Sequence, residues 1–136
     1  MIVLDASAAV ELVLRTDRAD RIAARALDPA QHLHAPHLID IELTQVLRRL
    51  VQSRELAPAR AELALLDFAQ LSIERHPHTL LLRRIWVLRS AMSAYDGAYV
   101  ALAEALAAPL LTCDERLARA HGHRANIELV AALPGA

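Results

Sequence analysis

"MIVLDASAAVELVL", residues 1–14, joins two patterns at a single aspartate. Ile2, Val3 and Leu4 form an unbroken apolar run, the mark of a short strand covered on both faces, as in a parallel sheet. The following "SAAVELVL" has helical spacing, with Ser7 suited to cap its start. A strand that stops at Asp5 and passes straight into a helix is the opening of a β-α-β unit. The stretch therefore poses a question about Asp5. Either it only caps a helix, or it is one of several acids gathered where such strands end.

The alternation continues along the chain. "DRADRIAARALDP" sets Ile22, Ala26 and Leu27 on one helical face and stops at Pro29, and "HLHAP" reads as a short strand. "PHLIDIELTQVLRRLVQS" begins at Pro36 and carries Ile39, Leu43, Val46, Leu47 and Leu50 at helical spacing. "PARAELALLDFAQL" is a further helix with Pro58 near its start, and "SIERHP" a strand. "TLLLRRIWVLRSAM" and "YDGAYVALAEALAAP" read as two more helices, the second stopped by Pro109. "LLTCD" is a strand, "ERLARAHG" a short helix ended by Gly122, and "IELV" a last strand. Short apolar strands alternating with helices predict an α/β fold. We expect a small three-layer α/β/α sandwich around a central, mainly parallel sheet, as one domain over residues 1–136. In such a sheet, ligands collect at the carboxyl ends of the strands near a switch in strand order.

Composition narrows the chemistry. Across 136 residues, 55% are hydrophobic and 23% charged, which is globular protein large enough to bury a core. No window approaches the roughly 20 apolar residues of a membrane helix, and Asp5 and Glu11 break the apolar start, so a signal peptide is not expected. One cysteine, Cys113, excludes an intramolecular disulfide and a Cys-rich zinc site. A cytoplasmic, non-membrane protein is the expectation. All 15 basic residues counted as Lys or Arg are Arg, which excludes Schiff-base and P-loop lysine chemistry. With a net charge of −1, any nucleic-acid binding must rest on local Arg clusters and bound cations. Aromatics at 3% are too few for a base-stacking platform.

Four acids fall at telling places. Asp5 closes the first strand and Asp114 closes "LLTCD", so a parallel sheet brings both out at one edge. Glu42 lies in the long third helix at the border of its apolar stripe, two residues after Asp40. Asp96 stands at the start of a helix too apolar to be a surface element. Each has a simpler reading. Asp5 and Asp114 suit helix caps, Glu42 suits a solvated face, and Ser93 with Asp96 fits a capping box. Taken together they suit another role, because carboxylates that converge on one pocket repel and must protonate or bind cations. Hard cations such as Mg²⁺ and Mn²⁺ prefer such oxygen ligands, with Ser7 and Thr112 as hydroxyl neighbours.

The same residues carry a resemblance. "MIVLDASAAVELVL" resembles the opening of a PIN-domain protein, a hydrophobic strand ending in Asp followed by x-Ser. "APHLIDIELTQVLRRL" is similar to that family's Pro-then-Glu helix through Glu42. "YDGAYVALAEAL" resembles its third acidic motif through Asp96 and Tyr99, and "LLTCDERLARA" its fourth, Thr-x-Asp before a short helix. The four blocks stand in the family's order over residues 1 to about 120. Chain length makes the resemblance strongest to the toxins of bacterial toxin–antitoxin pairs. It implies a Mg²⁺- or Mn²⁺-dependent endoribonuclease, held inactive by a cognate antitoxin; a homodimer is expected from the chain's apolar excess and from helices such as "AELALLDFAQL" with little polar separation. Asp5, Glu42, Asp96 and Asp114 take the catalytic, metal-holding positions, and Ser7 and Thr112 the supporting hydroxyl positions. Asp40 is off the motif, and the adjacent Glu115 has no settled role.

Rival readings remain. Arg48, Arg49, Arg83, Arg84 and Arg116 are candidates for gripping RNA, although solvated helix faces account for most of them. "HLH", "HPH" and "HGH" form three H-x-H pairs, and His32 with His34 would share a strand face. A zinc or nickel site is conceivable there, but exposed loop histidines are the expectation. A haloacid-dehalogenase-type phosphatase needs a second Asp two residues after the first, where this chain has Ser7. A metal-free binding module is the remaining alternative, and four intact acids argue against it.

Overall fold

In the computed structural model, which describes residues 1–135, thirteen short elements build one sheet flanked by helices. Their order is β1 (Ile2–Leu4), α1 (Ala6–Val13), α2 (Ala19–Ala26), β2 (Leu33–Pro36), α3 (Leu38–Gln52), α4 (Pro58–Gln70) and β3 (Ile73–His76). A 3₁₀ turn (Thr79–Leu81), α5 (Leu82–Val87), α6 (Ala94–Leu106), β4 (Leu110–Thr112), α7 (Glu115–Ala118) and β5 (Ile127–Leu129) follow. The sheet runs β3-β2-β1-β4-β5 and every pair is parallel.

That order places β1 at the switch point. Chain progress from β1 to β2 and β3 goes to one side, and β4 and β5 lie on the other. Right-handed crossovers then put α1 to α4 on one face and α5 to α7 on the opposite one, which yields three layers. The central strand is fully enclosed: Ile2, Val3 and Leu4 are each 0% exposed. Burying aliphatic side chains of this size stabilises the fold by about 1.5–3 kcal/mol apiece. Ile22, Ile39, Leu43, Leu88, Val100, Leu110 and Leu117 complete a core that joins both helical layers to the sheet. Ion pairs tie neighbouring elements at the rim. Arg75 grips Asp40 with two nitrogens, linking β3 to α3, and Arg84 grips Glu104, linking α5 to α6.

Three element ends differ from the sequence reading. The helix expected over "TLLLRRIWVLRSAM" is only a 3₁₀ turn and a six-residue α5, after which the chain turns before α6. The last short helix closes at Ala118, before Gly122. Helix α6 is ended by Ala107 in the left-handed region (φ 48°), ahead of Pro109. Gly97, inside α6, has a packing reason. A Cβ there would lie 3.3 Å from Ile85 Cγ2, so glycine lets α5 lie close against α6.

Ala107 sits where a glycine is the usual C-terminal residue, since a Cβ is disfavoured in that conformation. Ala107→Gly is therefore expected to stabilise the protein by about 0.5–1 kcal/mol, after the glycine entropy cost is set against the relieved strain. Thermal or urea unfolding checks this, and a lowered midpoint would contradict it.

Candidate active site

Asp5 leaves β1 at the carboxyl edge and turns its side chain back into the fold. It caps α1 by accepting from the Ala8 N–H at 3.0 Å, so Asp5 and not Ser7 is the capping residue. The same carboxylate accepts from the Ser7 hydroxyl at 2.6 Å and from the Thr112 hydroxyl at 2.7 Å. Ser7 Oγ in turn accepts from the Cys113 N–H, and Thr112 Oγ1 from the Asp114 N–H. The two hydroxyls thus convert Asp5 into a link between β1 and the β4–α7 turn, which is hydrogen-bonded onto it at both ends.

Around this link lies a cleft of about 620 Å³, lined by Asp5, Glu42, Asp96 and Asp114 together with Tyr99 and Arg116. The four acids singled out in the sequence therefore meet at one place, each delivered by a different element. Strand β1 ends in Asp5, α3 presents Glu42 from its second turn, α6 presents Asp96 from its first turn, and Asp114 caps α7. Asp114 accepts from the Arg116 and Leu117 N–H groups, so its capping role and its place in the cleft coexist.

Asp96 separates the two roles cleanly. Ser93 caps α6 as expected, but it accepts from the backbone N–H of Asp96 at 3.2 Å. Among the described residues, no return bond runs from the Asp96 carboxylate to the Ser93 N–H, so only half of the capping box forms. The carboxylate itself faces the cleft. Residue 96 therefore combines a place in the first turn of α6 with a place on the cleft wall.

The electrostatics of the cleft are unfavourable without a cation. Burial raises the Asp5 carboxyl to about 6, assisted by Asp114 and opposed by its three donors. Burial also raises Glu42, opposed by the Tyr99 hydroxyl and assisted by Asp96, and raises Asp96, assisted by Asp114 and opposed by Arg116 and the Ser93 hydroxyl. Glu42 Oε1 and the Tyr99 hydroxyl are both buried and lack a hydrogen-bond partner of good geometry. Buried, mutually repelling carboxylates, one of them facing only the Tyr99 hydroxyl, are an arrangement that a hard divalent cation satisfies. By this donor chemistry, the residues present fit a Mg²⁺- or Mn²⁺-type ion.

Other candidates separate from the site. Asp40 is held in its bidentate pair with Arg75, and the exposed Glu115 faces Arg119 at 3.3 Å outside the cleft lining. Of the five arginines, Arg49 and Arg116 line the cleft. Arg84 is paired with Glu104 away from the cleft lining, and Arg48 and Arg83 lie elsewhere on the surface. The histidine expectation needs correction. His34 is buried in β2 at 6% exposure and His76 stands in β3, so these two belong to the sheet and not to exposed loops. Strand pairing sets them together, a signal that H-x-H spacing within one segment does not contain. Tyr99, quoted in the sequence only as part of a motif, lies against Glu42, and burial raises its hydroxyl pKa further.

Because the folded protein holds the Asp5 proton more tightly than the unfolded chain, this group's stabilising contribution is full below the ordinary 3.8 and is lost as pH rises through about 6. In metal-free protein at about pH 8, Asp5→Asn should raise stability, by up to about 3 kcal/mol. At about pH 4 the gain should shrink toward zero. Thermal unfolding in EDTA at both pH values measures this, and a variant destabilised at the higher pH would contradict it.

Comparison with known proteins agrees with this geometry. Residues 2–122 match the profile of the PIN domain. Ribonuclease VapC12 of Mycobacterium tuberculosis is 44% identical over 131 residues, covering 96% of this chain and 100% of that protein. VapC ribonuclease Mb0985 of Mycobacterium bovis is 45% identical over 117 residues, covering 86% and 88%. The crystal structure of PAE2754 from Pyrobaculum aerophilum shares the fold with a TM-score of 0.69 at 22% identity, covering 93% of this chain and 81% of that one. On profile, sequence and fold together, the chain belongs to the PIN-domain family, within its VapC ribonuclease branch.

Proposed function

We propose that this protein is a divalent-metal-dependent endoribonuclease, the toxin of a toxin–antitoxin pair, that hydrolyses RNA phosphodiester bonds. The observation that carries the reading is the convergence of four acids from four separate elements on one cleft. Asp5, Glu42, Asp96 and Asp114 would hold Mg²⁺ or Mn²⁺, with Asp5 and Asp96 as direct ligands and Glu42 and Asp114 binding through water or positioning a second ion. Such a cation polarises a phosphate oxygen and makes a water nucleophilic near neutral pH. Ser7 and Thr112 fix the Asp5 carboxylate through 2.6 and 2.7 Å bonds, so its orientation is set before any ligand arrives. Arg49 and Arg116 lie on the cleft wall and suit the flanking phosphates. The chain's few aromatics favour recognition of RNA by shape and backbone over base stacking.

A cognate antitoxin would hold the activity in check. Between α3 and α4 runs an apolar groove of about 390 Å³ floored by Leu47, Val51 and Ala61, suited to a helical or extended segment. Leu80, Leu82, Trp86 and Val87 stand exposed on the 3₁₀ turn and α5, an apolar patch suited to a homodimer contact. No helix among the described residues is long and apolar enough to cross a membrane. Action in the cytoplasm, where RNA is present, follows from the proposed substrate.

Incubation of purified protein with total RNA, followed by end mapping, tests the reading. Cleavage should require Mg²⁺ or Mn²⁺, stop in EDTA, and leave 5′-phosphate ends, since water and not the ribose 2′-hydroxyl attacks. Full activity in EDTA, or 2′,3′-cyclic phosphate ends, would overturn it.

A further inference from the structure

The two H-x-H segments 32–34 and 76–78 lie on different strands, and the β2–β3 register brings them into contact. His34 pairs with Glu74 across the ladder and Pro36 with His76, so His34, Glu74 and His76 fall on one face of the sheet. His34 Nδ1 is 2.9 Å from His76 Nε2 and 3.6 Å from Glu74 Oε2. One donor atom from each of the three residues lies within 4.8 Å of the others. None of the three lines the acidic cleft.

We infer that His34, Glu74 and His76 form a second cation site, for a zinc-type transition-metal ion, separate from the acidic cleft. Tetrahedral zinc with bonds of about 2.0–2.2 Å sets neighbouring donors roughly 3.3–3.5 Å apart. The 2.9 and 3.6 Å separations from His34 Nδ1 bracket that spacing, and the His76–Glu74 pair lies within 4.8 Å. Two imidazoles and one carboxylate select zinc, nickel or copper over magnesium, whereas the all-oxygen cleft selects the reverse. The ligand set is three protein groups with a fourth position open to water. Without an ion, the two facing ring nitrogens must share a proton to meet at 2.9 Å. A cation takes that proton's place.

The site's surroundings give it a consequence. The His76 carbonyl accepts from the His37 N–H at 3.0 Å, and His78 Nε2 accepts from the Leu38 N–H at 3.2 Å. Leu38 opens α3, and Glu42 follows one turn later. An ion here would brace the corner from which α3 carries Glu42 into the cleft. One feature limits affinity. Binding through Nδ1 leaves the proton of His34 on Nε2, which is buried with no hydrogen-bond partner. Lacking that supporting contact, the site should bind more weakly than a fully supported zinc centre by about 10–100-fold.

Calorimetric titration of Zn²⁺ into tag-free, metal-stripped full-length protein tests this, with excess Mg²⁺ present to fill the cleft. One saturable Zn²⁺ per chain is expected, together with a raised melting temperature. His76→Ala and Glu74→Gln should each weaken Zn²⁺ by at least about tenfold, and Asp96→Asn should leave it unchanged. Glu74 is on the exposed surface, so its variant keeps the fold even where His76→Ala does not. Absence of saturable Zn²⁺ binding would overturn the inference. So would binding that survives Glu74→Gln at full strength, or binding lost in Asp96→Asn. Because zinc binding is read without RNA, failure of this site is distinguishable from failure of the nuclease reading.

Discussion

A carboxylate at the end of a buried central strand needs donors, and the way Asp5 obtains them organises the molecule. One comes from the first turn of α1, one from Ser7 and one from Thr112, more than a hundred residues along the chain. The bonds fix the start of α1 and, through the Cys113 and Asp114 N–H groups, the exit of β4. Three donors do not repay the burial, and the group stays raised to about 6. The fold holds Asp5 where its charge is costly in the metal-free protein. A cation bound in the cleft would stabilise the same charge that burial penalises.

The position of the cleft follows from strand order. With β1 between β2 and β4, the connections depart to opposite faces, and the crevice opens where they separate. Helices α3 and α6 each lean an acid over this opening. Their residues otherwise serve the core: Ile39 and Leu43 flank Glu42, and Val100 follows Asp96 by one turn. Packing therefore sets the height of each acid above the sheet. A core substitution beneath α3 or α6 would move a charge, not merely loosen a helix.

Much of this was legible in the amino-acid sequence because its signals are local. The unbroken apolar triplet at Ile2–Leu4 and the Leu-Leu-Thr run at Leu110–Thr112 announced parallel strands, and acids at strand ends announced one sheet edge. What escaped depends on partners distant in the chain. Ser7 reads locally as a cap, yet its hydroxyl is spent on Asp5 and Cys113. Arg84 reads as a free cation until Glu104 arrives from the next helix. The two H-x-H segments read as separate features because nothing in either one names its partner strand, and only the β2–β3 register unites His34 with His76. The short α5 is a related case. It packs Ile85 close against Gly97, a contact that helical periodicity alone does not report.

The central claim is that the charge on Asp96 serves a cation and not a helix. Titration of Mn²⁺ into wild-type protein and Asp96→Asn, with metal-free melting recorded on the same samples, tests it most directly. Asparagine keeps the size of the side chain and leaves intact the Ser93 cap, which uses the backbone N–H of residue 96. The account predicts that Mn²⁺ binding falls by at least about tenfold, while metal-free stability holds level or rises as one repulsion disappears. An Asn variant that binds Mn²⁺ like wild type but melts earlier would contradict it and return Asp96 to a structural role.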